Sequence, residues 1–132
     1  MPRKPPPSSP AGSRRTSPPV SRFRLRVTRG DAIAVGPGKV ALLEAVERTG
    51  SITAAAKDLG MSYRRAWLLV DEVNHALREP AVESTKGGEG GGVSRLTATG
   101  RRMVELYRSI ERTAASACKA DLARLIALLA RD

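Results

Sequence analysis

The sequence has few of the side chains from which catalytic and metal sites are usually built. Its 132 residues include one cysteine, Cys118, and one histidine, His75. A single cysteine excludes an internal disulfide and a metal site made of cysteines alone, and a single histidine leaves little for a histidine-based metal or catalytic set. The carboxylates of Asp58, Asp71 and Glu72 are predicted on exposed helical faces, with no nucleophile or metal set beside them. We therefore expect no enzymatic activity, no metal and no cofactor.

Long apolar runs are also absent. No stretch approaches the ~18 apolar residues that a membrane-spanning helix needs. The N-terminus is basic but lacks the apolar segment of a secretory signal. These absences predict a cytoplasmic protein without a membrane partner.

The first 29 residues contain no acidic side chain. They hold eight of the arginines and lysines, which leaves fifteen basic and thirteen acidic residues for positions 30–132, although the whole chain has a net charge of +10. The high net charge alone therefore does not indicate nucleic-acid binding by the folded part. Residues 1–20 also contain seven of the nine prolines and are predicted to be disordered. This tail is either a cationic arm on DNA phosphates or a solvated tail.

Residues 51–73 read as two helices joined by a tight turn, and the rest of the chain is arranged around them. Ser51 is a candidate N-cap of the first helix, Gly60 can end it in a left-handed turn, and Ser62 can cap the second helix. The apolar residues that recur at helical spacing along the second helix are Ala66, Leu69, Val70, Val73 and Leu77. Polar and cationic residues in its first turn complete a helix-turn-helix pattern, whose second helix enters the DNA major groove.

The segments on both sides of this helix pair contain short strands. Phe23, Leu25 and Val27 alternate with arginines, which predicts a half-buried strand, and residues 32–35 can return as its partner before a helix over 39–48. After the helix pair, residues 81–84 and 93–96 flank a glycine-rich loop at 85–92. This second hairpin stands where the wing of a winged helix belongs.

The C-terminal part predicts a helix that begins near Ala98, after Thr97 as its cap. Its apolar face comprises Met103, Leu106, Tyr107, Ile110, Ala114 and Ala117, and leucines and isoleucine continue it to Leu129. A single helix over 98–130 would extend ~50 Å, which is longer than a domain of this size. A second copy of the chain is the simplest apolar cover for its outer half. The alternative is a break near Ala120–Asp121.

These residues together resemble the N-terminal DNA-binding domain of the molybdate-dependent transcriptional regulator (ModE) family, a relative of the LysR-type winged helices. The resemblance rests on GSITAAAKDLGMSYRRAW (50–67), the following Asn74, KGGEGGG (86–92) and LTATGRRMVELY (96–107). It covers roughly residues 22–122.

The resemblance implies a homodimer whose long terminal helices pair and whose recognition helices read a palindromic operator in double-stranded DNA. Full-length members of the family continue into C-terminal oxyanion-binding domains, whereas this sequence stops at Asp132. Molybdate sensing is therefore not carried over. We expect a constitutive binder or one that takes its signal from a separate effector-sensing partner.

The sequence thus predicts a mainly α fold with a small β component, a winged helix-turn-helix with an N-terminal β-hairpin and a long C-terminal dimerisation helix. The predicted parts are a tail (1–20), the DNA-binding domain (21–97) and the C-terminal helix (98–132). The candidate DNA-binding residues are Thr53, Ser62, Tyr63, Arg64, Arg65, Lys86, Gly87 and Arg95. The expected function is sequence-specific transcriptional regulation. The alternative is a winged-helix interaction module that reads no DNA sequence, which the small net charge of residues 30–132 keeps open.

Overall fold

A computed structural model describes residues 17–85 and 92–130. Two antiparallel strand pairs accompany the helices. The strands are β1 (Val27–Arg29), β2 (Ala32–Val35), β3 (Val82–Ser84) and β4 (Ser94–Leu96). The helices are α1 (Pro37–Thr49), α2 (Ile52–Asp58), α3 (Tyr63–Ala76), α4 (Ala98–Ala117) and α5 (Lys119–Ile126). This order of elements is that of a winged helix-turn-helix preceded by a β-hairpin, as the sequence predicts.

The chain divides into two compact units. The larger comprises residues 24–113, and the smaller contains the described residues 17–23 and 114–130. The hydrophobic core lies in the larger unit, where α1 supplies the most completely buried side chains: Val40, Leu42, Leu43, Ala45 and Val46. Small alanines of α2 and α3 and the strand residues Val82 and Leu96 pack in the same cluster. The first half of α4 completes this core with Met103 and Tyr107.

The helix-turn-helix has the local hydrogen bonds that its sequence predicts. The Ser51 hydroxyl accepts a hydrogen bond from Ala54 N at 2.9 Å at the start of α2. At the other end of α2, Gly60 adopts a left-handed φ of 69°, Gly60 N donates to Lys57 O, and Met61 N donates to Ala56 O. This pair of bonds is a Schellman C-cap, which reverses the chain in a few residues and delivers it to α3.

The N-terminal hairpin is shorter than the sequence alternation predicts. β1 begins at Val27, so the prediction of a strand over the preceding arginine-rich residues is wrong in its extent. The ladder pairs Arg29 with Ala32 around Gly30, whose φ is 60°, and its register shifts between Val27 and Thr28. Residues before β1 are held instead by α4, because the Tyr107 hydroxyl donates to Leu25 O at 2.8 Å. Arginine and apolar residues do alternate in this segment, but the apolar side chain of Leu25 lies against α4 and not against a paired strand.

The start of α4 is tied to the segment that links α3 to β3. Thr97 N donates to Ala81 O at 2.9 Å, and the Thr97 hydroxyl donates to Pro80 O at 2.6 Å. The same hydroxyl accepts from Gly100 N at 3.1 Å, which confirms Thr97 as the N-terminal cap. These bonds fix the direction in which α4 leaves the wing.

The C-terminal helix is broken, as one of the two sequence-based alternatives proposed. α4 ends at Ala117 and α5 begins at Lys119, so the break lies at Cys118, two to three residues before Ala120–Asp121. The break is shallow, since Cys118 N still donates to Ala114 O and Leu122 N donates to Cys118 O. Among the described helices, none is long and apolar enough to cross a membrane.

Candidate nucleic-acid interface

The first turn of α3 presents polar and cationic side chains to solvent. The Ser62 hydroxyl caps the helix by accepting from Arg65 N at 3.1 Å. Tyr63, Arg64 and Arg65 are all exposed, and their side chains form no hydrogen bond or ion pair with any described residue. Free guanidinium groups at the N-terminal end of a second helix are available to base edges and phosphates.

Arg64 and Arg65 face different surroundings. The buried side of α3 is formed by Ala66, Val70 and Val73, and Arg64 lies on the opposite side of the helix. Arg65 is turned about 100° from Arg64 and borders a groove between α3 and the N-terminal hairpin. The two arginines therefore cannot make equivalent contacts with one duplex.

Apolar side chains extend the exposed face of α3. Trp67 is 46% exposed and Leu68 is 45% exposed, next to Tyr63 one helical turn earlier. The exposed indole shows that Trp67 does not lie in the hydrophobic core. Trp67 is therefore available, with Tyr63 and Leu68, for contacts outside the folded domain.

Asn74 attaches the wing to α3. Its Oδ1 accepts hydrogen bonds from Ala81 N at 2.8 Å and Val82 N at 3.1 Å, and its Nδ2 donates to Val82 O at 3.2 Å. One side chain thereby satisfies three backbone groups at the start of β3 and sets the angle between recognition helix and wing. The sequence marks Asn74 only through the family resemblance, because a lone asparagine in a helix has no distinctive spacing.

The remaining predicted DNA-binding residues lie in and around the wing and α2. In the β3–β4 ladder Glu83 lies opposite Arg95. On the exposed side of this hairpin Arg95 Nε donates a hydrogen bond to Glu83 Oε1 at 3.0 Å. Arg95 is therefore partly neutralised by its cross-strand neighbour. Lys86 and Gly87 lie outside the described residues. Thr53 is exposed in the first turn of α2.

The basic groove beside Arg65 is a site that the sequence analysis did not single out. It is lined by one face of the hairpin, the start of α1 and α3. Its charged lining residues are Arg24, Arg26, Arg29, Asp31, Lys39, Arg65 and Glu72. The signal for it in the sequence is the series of arginines at every second position, a pattern that also fits the exposed face of a strand.

A second groove in the larger unit is apolar. It is bounded by α4, the hairpin and the end of α3, with Leu25, Val27, Val35, Leu77, Met103, Leu106, Tyr107 and Ile110 among its lining residues. Of the predicted dimerisation residues, Leu106 is 44% and Ile110 is 49% exposed. Met103 and Tyr107 are 9% and 2% exposed, so they mainly complete the hydrophobic core of the larger unit. Ala114 is half-buried and Ala117 is exposed, both in the smaller unit.

An ion-pair network joins α1 to α4 behind these surfaces. Arg108 donates to both carboxylate oxygens of Glu44, at 2.9 and 2.5 Å, and to Glu111 at 2.7 Å. These hydrogen bonds hold the pKa of Glu44 below its usual value and raise the pKa of Arg108 further. Burial raises the pKa of the neighbouring Tyr107 phenol. The network stabilises the scaffold by joining α1 to α4.

Within the part of the chain that the structure describes, no group of three or more His, Cys, Asp or Glu side chains is placed to hold a metal ion. The arrangement instead offers hydrogen-bond donors, positive charge and exposed apolar groups around one helix. This combination is suited to the edges and phosphates of a duplex.

Residues 38–101 match the model of the bacterial regulatory helix-turn-helix proteins of the LysR family. The matched segment runs from α1 through the second hairpin to the start of α4, and so contains the helix-turn-helix. The domain is therefore a LysR-type helix-turn-helix domain of the DNA-binding kind, which belongs to a non-enzymatic family.

Curated relatives narrow this class to the domain found in ModE regulators. The chain is 44% identical over 94 residues to the molybdenum transport protein ModE of Azotobacter vinelandii, an alignment that covers 70% of this chain and 35% of the relative. It is 39% identical over 97 residues to the transcriptional regulator ModE of Yersinia pestis, with 71% and 37% covered. It is 41% identical over 71 residues to the DNA-binding transcriptional dual regulator ModE of Escherichia coli K12, with 54% and 27% covered. The chain spans about a third of the length of these relatives.

Proposed function

We propose that this protein is a transcriptional regulator that binds a palindromic operator as a homodimer, with α3 as its recognition helix. Each protomer would present α3 to one major groove and the wing to the adjacent backbone. Two-fold related helices read half-sites whose centres are separated by about 10 bp or a multiple of it. The names of the relatives support regulation of transcription, but what those proteins sense or transport is not transferred to this chain.

The observation that supports this proposal best is the first turn of α3. Arg64 is exposed, has no polar partner among the described residues and lies opposite the buried face of the helix. A guanidinium in this position can donate two hydrogen bonds to O6 and N7 of guanine, which makes Arg64 the favoured base reader. Tyr63 and Trp67 flank it and would add contacts to the backbone or to thymine methyl groups.

The homodimer is supported by the apolar groove beside α4. Leu106 and Ile110 are half-exposed at its edge, next to the buried Met103 and Tyr107. Burying such a surface against a second copy would remove apolar area from water at roughly 25 cal/mol per Å². The two-fold symmetry of that contact is what a palindromic operator requires.

Selection of duplexes from a random pool by the full chain would test the proposal. We expect enrichment of an inverted repeat, tighter binding to it than to a scrambled duplex, and an affinity that falls linearly with salt on a log–log scale. Arg64→Ala should lose the preference for the enriched sequence, whereas Arg112→Ala, which removes an exposed arginine of α4, should keep it. A chain that enriches no sequence and shows no salt-dependent duplex binding would be a winged-helix protein-interaction module instead.

A further inference from the structure

The recognition helix is flanked on two opposite sides by hairpins. On one side Asn74 bonds to the backbone of β3 and so attaches the wing. Arg65 lies nine residues earlier, and at about 100° per residue it faces the opposite side of the helix. That side is where the β1–β2 hairpin lies, across the basic groove. A duplex that receives α3 in its major groove would therefore meet a hairpin on each side.

The hairpin is held against α3 by a buried lysine. The Lys39 ammonium donates to Ile33 O of β2 and pairs with Glu72 of α3 at 3.2 Å, and its side chain is only 10% exposed. A single cation thereby links β2, α1 and α3. Arg26 packs beside the start of α1, where a Cβ added at Gly36 would lie 3.8 Å from Arg26 Cγ. Arg26, which precedes β1, therefore lies close to the junction of β2 and α1.

The two sides of the segment just before the hairpin, residues 24–26, have different chemistry. Leu25 lines the apolar groove under α4, while Arg24 and Arg26 line the basic groove beside α3. Because arginine alternates with apolar residues in this segment, the arginine side chains lie on the side that faces α3. Nothing in the packing of the core requires cations there, since every one of these arginines is exposed.

The positive charge on this side is not balanced within the described structure. Arg24, Arg26, Arg29 and Arg65 make no side-chain hydrogen bond or ion pair with a described residue. The acidic groups that face the groove are Asp31, at the hairpin tip, and Glu72, which Lys39 already engages; His75 is the other titratable group in the lining. Like charges held together without counterions favour an anionic partner.

We propose that Arg24, Arg26 and Arg65 form a second phosphate-contacting surface for duplex DNA, on the side of α3 opposite the wing. The proposal rests on the proposed DNA-binding function and adds residues outside the helix-turn-helix to it. The contact is to phosphate rather than to bases, because the arginines lie beside α3 and not at its outward face. Arg29 is left out because it adjoins Asp31, whose carboxylate repels phosphate.

The test compares the full chain with two double variants, Arg24→Ala/Arg26→Ala and Arg24→Lys/Arg26→Lys. Affinity for the selected operator and for a scrambled duplex is measured across a salt series. Each phosphate contact contributes about 0.9 to the slope of log affinity against log salt, so the alanine pair should lower the slope by about two for each bound protomer. Binding to both duplexes should weaken, by roughly 60-fold near 0.1 M salt for each bound protomer if counterion release is the whole contribution. The lysine pair should retain most of the wild-type slope, because a phosphate contact needs charge more than a planar fork.

Arg112→Ala is the control for loss of an arginine elsewhere, and it should leave the slope unchanged. Thermal unfolding of each variant shows that the fold is kept. The proposal is overturned if the wild-type chain binds duplex DNA with a clear salt dependence and the alanine pair has the same slope. It is also overturned if the alanine pair loses affinity only on the selected operator, which would indicate base reading. A wild-type chain that binds no duplex would instead refute the proposed function itself.

Discussion

At the scale of single residues, Gly100 shows how tightly the wing and α4 are joined. A Cβ at this position would lie 2.1 Å from Ala81 O and 2.9 Å from Ala81 C. Ala81 cannot easily move away, because its N–H is bonded to Asn74 and its carbonyl to Thr97 N. The sequence predicts a helix through this glycine but gives no sign of the close approach, which depends on a backbone nineteen residues away.

We expect Gly100→Ala to destabilise the fold by about 2–3 kcal/mol, since an overpacked contact against fixed backbone must be relieved by distortion. Urea unfolding followed by circular dichroism measures the change. Gly38→Ala is the matched control, because a Cβ there has no neighbour within 4 Å in the first turn of α1. It should be neutral or stabilising by about 0.5–1 kcal/mol. Equal stability of the two variants would show that the approach of Gly100 to Ala81 is not tight.

The adjacent arginines of α3 should separate into a base reader and a phosphate contact. Removing a bidentate arginine–guanine contact costs about 1–3 kcal/mol on the correct site and little on a scrambled one. We expect Arg64→Ala to behave in this way and Arg64→Lys not to restore the loss, since lysine lacks the planar fork. Arg65→Ala should weaken both duplexes, and Arg65→Lys should largely restore them. If all four variants lost affinity equally on both duplexes, specificity would lie outside this turn.

At the scale of elements, α1 and α4 are joined by the half-buried ion pair between Glu44 and Arg108, which is lost when the Glu44 carboxylate is protonated in acid. Arg108 lowers the pKa of Glu44, so the folded state favours the carboxylate more than the unfolded state does. The resulting stability is present above the unfolded-state pKa of about 4.3 and is lost as the pH falls through the lower folded-state pKa. Both side chains are about one-third exposed, at 35% and 34%, so solvent screening limits the contribution.

Glu44→Gln should therefore lower the free energy of unfolding by about 1 kcal/mol at pH 6–7. The difference from wild type should shrink as the pH falls below about 4, because protonated glutamic acid resembles glutamine. Urea midpoints across this range measure the effect. Glu105→Gln, on the exposed side of α4, should match wild type throughout. A constant difference at every pH would assign the loss to packing rather than to charge.

The sequence predicted the helix-turn-helix well because its signals are local. Ser51, Gly60 and Ser62 each act on backbone groups a few residues away, and each has its predicted role. The hairpin before α1 is less predictable. Alternating polar and apolar residues indicate that a segment has two different faces, but they do not indicate which element covers the apolar face. The exposure of Trp67 is hard to predict for a similar reason: helical spacing alone does not place an indole inside or outside the core, and tertiary packing decides its exposure.

At the scale of the whole molecule, surfaces assembled from distant segments escaped the sequence analysis. The basic groove joins residues of the hairpin to Arg65, and the apolar groove joins Leu25 and Leu77 to α4. Neither follows from a motif, because their members are separated by tens of residues. Helical spacing alone predicts the dimerisation residues, and it cannot distinguish those that fill the core of the same chain, such as Met103, from those left exposed, such as Ile110.

The dimer can be tested through the exposed members of that set without disturbing the core. Replacing Leu106 and Ile110 together by Asp places two charges in the apolar groove, where they would be desolvated on association. We expect sedimentation to show monomers, with the thermal unfolding of each protomer retained. Arg112→Asp changes the net charge by the same amount on another face of α4 and should stay dimeric. A monomeric wild-type chain at micromolar concentration would contradict the dimer, and the apolar groove would then need another partner.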